Sequence, residues 1–385
     1  MTAPAVDIAS IERELRELWK DNAAGAAGGQ AVTRALTLNL VARAHNQETG
    51  DLVSDVAQRL TASHPSRTVL AVMGPEGADQ HLAAYVQANC LLAAPGVPQV
   101  CGEQVTIEAR GAATAQVASL VLPLLVPDLP VALWLPGPGP FEDGLLARLR
   151  GVIDRLIVDS RDFAAPAREL AAMAAFERAE QEGAGPRPPA LSDLSWAALT
   201  PWRELTAQFF DTRPLLPHLR RLDHVEIAYV PSGARPNPTQ ALLLAGWLAA
   251  SLGWAPLEEA VSVEGEALRL HLRRPAVGVG PGAIRLVTVA IGPAPARAGA
   301  GPGIAGLRLR AVDGVTADFR VERTAQPGHA LTTALVAGHP PVSRAARCEE
   351  PGLADLLAAE LRLLSRDRTF GAALRAAAAF AAHLP

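Results

Sequence analysis

His64-Pro65-Ser66-Arg67 stands directly before the apolar run 68–73 (TVLAVM), so its polar groups emerge at a strand entrance. A turn is the ordinary use of such a stretch, and Arg67 is its one group able to grip an anion. Cys90 and Cys101 fit no zinc spacing. Buried structural thiols are the ordinary reading. A redox pair is the alternative, because a strand opening at Val100-Cys101-Gly102 would return beside the segment ending at Cys90. With Cys348 the chain has three cysteines, an odd and sparse set that argues against a disulfide framework and for a reducing compartment. Residues 193–211 (DLSWAALTPWRELTAQFFD) gather scarce aromatics in a chain that is only 4% Phe, Trp and Tyr. Core packing explains them most simply. The sharper reading makes Trp196, Trp202, Arg203 and Phe210 an anchor for a partner, since Trp and Arg are favoured at interface hot spots.

Other constellations are weaker. Arg269 and Arg308 belong to strand-like stretches in which leucine alternates with arginine, giving one apolar and one arginine-rich face. A solvated outer face accounts for that pattern, and clustered guanidiniums also suit carboxylates or phosphates. Asp128, Asp159 and Asp162 fall near strand ends, where ligands bind in α/β sheets. His218 and His224 flank Arg220, Arg221 and Asp223 without a metal-ligand spacing. The glycines of GVGPG (278–282) make a plain turn, since Pro281 removes an amide donor and a strand follows where a phosphate loop needs a helix. The only lysine, Lys20, lies in a charged N-terminal helix, which excludes Walker A and Schiff-base chemistry there. No GxSxG elbow, HExxH helix or EF-hand loop occurs. No catalytic, cofactor-binding or metal residue is therefore nominated.

The elements that would position these groups read as α/β, or α+β overall. Residues 7–20 carry Ile8, Ile11, Leu15, Leu18 and Trp19 at helical spacing and must dock on something. Thr33–Ala44 alternates as a half-buried strand, and Ser66–Met73, 79–93 and 97–109 follow as strands. The helix, strand, helix, strand rhythm from Ala112 to Ser160 argues parallel strands with crossover helices. A helix over 166–182 leads into the break EGAGPRPPA, giving expected domains 1–182 (α/β, partly parallel sheet) and 191–385 (antiparallel, helix-packed sheet). Thr200-Pro201 is expected to open a helix as N-cap and first-turn proline.

The chain is 49% apolar and 19% charged, with a mean hydropathy of +0.17, which places it among folded proteins. A net charge of −4 offers no footprint for nucleic acid. The acidic N-terminal segment does not read as a signal peptide, and the apolar runs break before membrane length. A soluble, cytoplasmic protein is expected.

Six segments then carry a resemblance: TRALTLNLVA (33–42), HPSR (64–67), CGEQVTIEARG (101–111), LVLPLLVPDLPVALWLPG (120–137), DRLIVDS (154–160) and residues 193–211. In order and spacing they resemble the OpcA family of glucose-6-phosphate dehydrogenase assembly proteins. The resemblance implies a non-catalytic partner, without cofactor, that binds glucose-6-phosphate dehydrogenase, activates it allosterically and raises flux through the pentose phosphate pathway. The alternative is a sugar-phosphate-binding enzyme or sensor with Arg67, Arg269 and Arg308 as anion ligands. Cyanobacterial members are linked to thioredoxin-dependent control, to which Cys90, Cys101 and Cys348 do not match.

Overall fold

The computed structural model describes residues 6–25, 32–75, 79–90, 99–182, 188–231, 237–264, 267–275, 284–294, 301–312 and 314–384. The turn at 278–282 lies outside them, as do most of 182–190 and residues 295–300 of the low-complexity loop. The fold is α/β, built on two sheets that belong to two compact units interleaved in sequence. The first unit holds residues 1–162, 179–194 and 352–366; the second holds 163–178, 195–351 and 367–385.

Sheet A, in the first unit, contains β1 (Val32–Arg34), β2 (Leu38–Ala44), β3 (Ser66–Met73), β4 (His81–Cys90), β5 (Gln99–Arg110), β6 (Val131–Leu135), β7 (Arg155–Val158) and β8 (Ala190–Asp193). The spatial order is β1-β5-β3-β2-β6-β7-β8, all parallel, with β4 added antiparallel to β5. Counting only β2, β3, β5, β6, β7 and β8, this is the 3-2-1-4-5-6 order of a doubly wound nucleotide-binding sheet, with its switch point between β2 and β6. Central position explains why β2 is buried almost throughout rather than half-buried. The Asn39 amide meets its needs inside, donating to the Val126 carbonyl (3.0 Å) and accepting from the Val126 N–H (2.8 Å). The expected domain break at 182–191 falls inside the first unit, because β8 beyond it extends the sheet beside β7.

Sheet B, in the second unit, contains β9 (His224–Val230), β10 (Ala255–Glu264), β11 (Ala267–Pro275), β12 (Ile284–Pro293), β13 (Gly303–Ala311), β14 (Ala317–Arg323), β15 (His329–Val336) and β16 (Val342–Arg347). Its order is β10-β11-β12-β9-β13-β14-β15-β16. It is mixed rather than purely antiparallel: β9 pairs parallel with β12, and the remaining pairs are antiparallel. One face is apolar, through residues such as Val225, Ile227, Leu270, Val289, Leu307, Leu309, Phe319 and Val321. Among the unit's helices, Thr239–Leu252 and Arg368–Ala381 pack tightly: a Cβ on Gly246 would run into the Ala373 carbonyl and lie 2.9 Å from the Ala377 nitrogen. Only glycine allows this approach. The helix expected from Thr200-Pro201 spans Thr200–Gln208, with Leu199 at the cap position and Pro201 in its first turn.

Candidate functional site

Open α/β sheets bind ligands beyond the carboxyl ends of their strands, at the switch point. In sheet A the turn after β2 begins His45-Asn46-Gln47, where a dinucleotide-binding turn uses glycines to admit a pyrophosphate. Asn46 caps its own helix, Gln47–Leu60, accepting from the Thr49 N–H at 2.8 Å. Gly137, at φ +96°, lies after β6 so close to the His45 ring that a Cβ would overlap it. Arg43 pairs with Asp143 at 3.1 Å, and Asp162 accepts from the Gly137 N–H at 2.9 Å. The crevice is thus furnished by the chain's own side chains. Burial, then the Asp159 charge, pushes the Asp162 carboxyl above its usual range; burial, then Arg43, pushes the His45 imidazole down. Asp159 is held by Arg161 at 2.6 Å. Asp128 lies at the opposite edge, ahead of β6.

Arg67 is not placed to receive an anion. It is 5% exposed, its Nε donates to Glu103 at 2.5 Å, and its Nη1 donates to Glu12 (2.8 Å) and to the Leu124 carbonyl (2.9 Å). Arg34 and the Trp19 indole also donate to the fully buried Glu103. Burial alone would raise the Glu103 carboxyl, but the Arg34 hydrogen bonds and the Arg67 charge hold it below its usual range. Two ends of this network, Glu12 and Trp19, come from the helix Ile8–Gly25, whose Ile11 and Leu15 are buried. The cluster is a docking clamp for that helix.

The surface anchor expected in 193–211 is likewise corrected by burial. Trp196, Trp202 and Phe210 are 3%, 4% and 8% exposed. The Trp196 indole donates to Asp367 at 2.9 Å, and Asp367 caps the helix Arg368–Ala381 through the Phe370 N–H. Arg203 lies over the Trp196 ring at 3.7 Å and donates to Thr200. Phe209 and Phe210 stack around the buried Phe319 of β14 at 5.3 and 5.0 Å. These aromatics fasten helices to the apolar face of sheet B, and Arg203 closes the stack at its half-exposed end.

The opposite face of sheet B carries the arginines. Register places Arg308 opposite Arg320 and Arg310 opposite Asp318 on β13 and β14, with Arg308 opposite Glu226 on β9. Arg308 and Arg320 close on Asp318 at 2.6 and 2.9 Å, Arg310 reaches it at 3.9 Å, and Arg308 lies 3.6 Å from Glu226. Burial would raise the Asp318 carboxyl; the hydrogen bonds from Arg320 and Arg308 bring it below its usual range. Each of the three guanidiniums stays about one-third exposed. Arg269 shares this face on β11, across from Ala290, but β12 and β9 separate it from Arg308 by roughly 14 Å of sheet. The structure therefore gathers Arg308, Arg310 and Arg320 and leaves Arg269 and Arg67 elsewhere. Asp318 and Glu103, which organise the two clusters, had no motif to reveal them; strand register alone brings their partners in.

Cys90 and Cys101 are directly opposite on β4 and β5 and joined as a disulfide, with Cα atoms 4.1 Å apart. They are therefore not separate buried thiols: β5 is the strand returning beside the segment that ends at Cys90, the juxtaposition on which the redox-pair alternative rests. Cys348 is a half-buried thiol whose pKa burial raises. Among the described residues no cluster of His, Cys, Asp and Glu could hold a metal, and no helix is long and apolar enough to cross a membrane.

Two family models match the chain: glucose-6-phosphate dehydrogenase subunit N-terminal domain over residues 57–175, and the corresponding C-terminal domain over 189–374. A protein of Nostoc punctiforme named as the OxPP cycle protein OpcA is 32% identical over 203 residues, 52% of this chain and 41% of the relative. One of Synechocystis sp. with the same name is 30% identical over 205 residues, 53% of this chain and 40% of the relative. The matched stretch thus spans less than half the length of these relatives. A dehydrogenase (MviM) structure from Clostridium difficile superposes over 88% of this chain and 96% of its own, with a TM-score of 0.43 and 8% identity. With both family models matched over most of its length, this chain belongs to the OpcA family of glucose-6-phosphate dehydrogenase assembly proteins.

Proposed function

We propose that this protein is a non-catalytic, cytoplasmic partner of a glucose-6-phosphate dehydrogenase that favours the enzyme's assembled, active state. The observation that carries this reading is the pair of matched models, which take in residues of both sheets. The outer face of sheet B supports it: three partly exposed guanidiniums, held in place by one carboxylate, suit an acidic patch on another protein. Arg203, half-exposed over Trp196, is a second contact point.

An activator must bind the active form of its enzyme more tightly than the inactive form, and couplings of about 1–3 kcal/mol, or 5- to 150-fold, are typical. The test is the velocity of the same organism's dehydrogenase against substrate concentration, with and without this protein, under reducing and oxidising conditions. A lower half-saturation or a higher maximum rate is expected, together with co-elution. No effect and no co-elution under either condition overturns the reading. The sugar-phosphate alternative loses its first anion ligand, since Arg67 is buried on Glu103 and Glu12.

A further inference from the structure

Sheet B ends on β16, and among the described residues no strand pairs with its far edge. Of its six residues only Ala346 is less than exposed. Register places Val342 opposite Ala334 and Arg344 opposite Thr332, so both side chains lie on the face that helices cover elsewhere in the sheet. Ala330 and Thr332 of β15 are still buried under that cover, and over β16 it stops. A cavity of about 970 Å³ opens there, walled by Leu205, Phe209 and Leu215 on the helical side and by Val336 and Val342 on the strands. Val315 and Val342, both on the lining, make an apolar rim, 48% and 66% exposed. Arg344 reaches across to donate to the Gln208 side-chain Oε1 at 2.6 Å, which sets a guanidinium at the groove beside the free edge. Asp211 lies on the helical wall.

We propose that an extended segment of the partner dehydrogenase docks here by adding a strand to β16. Its alternate apolar side chains enter the groove, and a carboxylate meets Arg344. Three observations converge on this occupant. A bare strand edge offers main-chain donors and acceptors, and strand addition is the recognition mode that uses them. The groove lies on one face of that edge, so it accepts every second side chain of an added strand. Arg344 supplies the charge that an acidic residue complements. A six-residue strand covers about 20 Å, enough for three side chains to enter. The proposal rests on the dehydrogenase-partner reading above.

The test begins with the affinity of the intact dehydrogenase for the full chain, then repeats it with Val342→Asp and Arg344→Glu. Both side chains are exposed, so the variants are expected to keep the thermal midpoint of the parent. Each is expected to weaken binding roughly tenfold or more, with Arg344→Lys largely retained. Hydrogen exchange of the β16 amides should slow in the complex, which side-chain contact alone would not produce. Unchanged affinity in both variants, or unchanged β16 exchange in the complex, overturns the strand-addition proposal while leaving the partner reading intact. Absence of binding by the parent chain overturns both. If Val342→Asp converts a dimer of this chain to monomer without altering dehydrogenase binding, the groove serves a second copy and the proposal fails.

Discussion

Both sheets set one acid among arginines, yet the two clusters do different work. Glu103 in sheet A is fully buried, and it draws Arg67, itself nearly buried, together with Arg34 and Trp19. Asp318 in sheet B binds Arg308 and Arg320 at similar distances, but their guanidiniums remain about one-third in water. The same chemistry is a structural clamp where both partners leave solvent. At the surface it becomes an oriented patch with charge to offer. Burial sets the role, because removing one partner of a buried pair strands a charge in low dielectric, whereas an exposed pair is screened.

The comparison can be broken by substitution. Glu103→Ala should cost about 3–5 kcal/mol in denaturant unfolding, since it leaves Arg67 buried without its main acid. Trp202→Ala should cost a similar ~3–5 kcal/mol through the cavity it leaves, and a variant that instead stays stable and loses only partner binding would restore the anchor reading. Asp318→Ala should cost less, about 1–2 kcal/mol, because its arginines can turn to water; a loss equal to that of Glu103→Ala would erase the distinction between the sheets. Gly246→Ala should cost about 1–3 kcal/mol by forcing apart the helices Thr239–Leu252 and Arg368–Ala381, read as a lower thermal midpoint.

Proton linkage sharpens the same contrast. Glu103 is held below the usual carboxylate range when folded, so it contributes stability at pH values above that range, and the contribution is lost as pH falls through it toward the folded value. Unfolding curves of Glu103→Gln should accordingly show a flatter acid limb than those of the parent. The smallest effect belongs to Arg269→Ala, on the exposed face of sheet B: stability should stay within about 0.5 kcal/mol of the parent. Its influence should be read in the salt dependence of partner binding.

Much of the local structure is legible in the residues. The alternation at 268–272, 307–310 and 319–322 marks strands with one apolar face, and those strands form with that face buried. The helix at 166–182 and the docking helix at the N-terminus also follow from spacing, with Ile11 and Leu15 inside. The site residues were less legible. HPSR reads as an exposed turn with a free arginine, but β3 lies between β2 and β5, and an interior position buries Arg67. Residues 193–211 read most simply as core but leave an anchor open, since an aromatic face on a helix looks the same whichever surface covers it.

What the sequence determined by itself is the set of elements, the α/β class and the family, because periodicity, capping and segment order are properties of neighbouring residues. What the tertiary structure decided is the partnership of distant ones. The 3-2-1-4-5-6 order of sheet A, the Cys90–Cys101 bridge, the Glu103 clamp and the Asp318 triad all depend on which strands lie side by side and in what register. A one-residue slip in that register would send every one of those side chains to the opposite face, and no stretch of sequence states its own register.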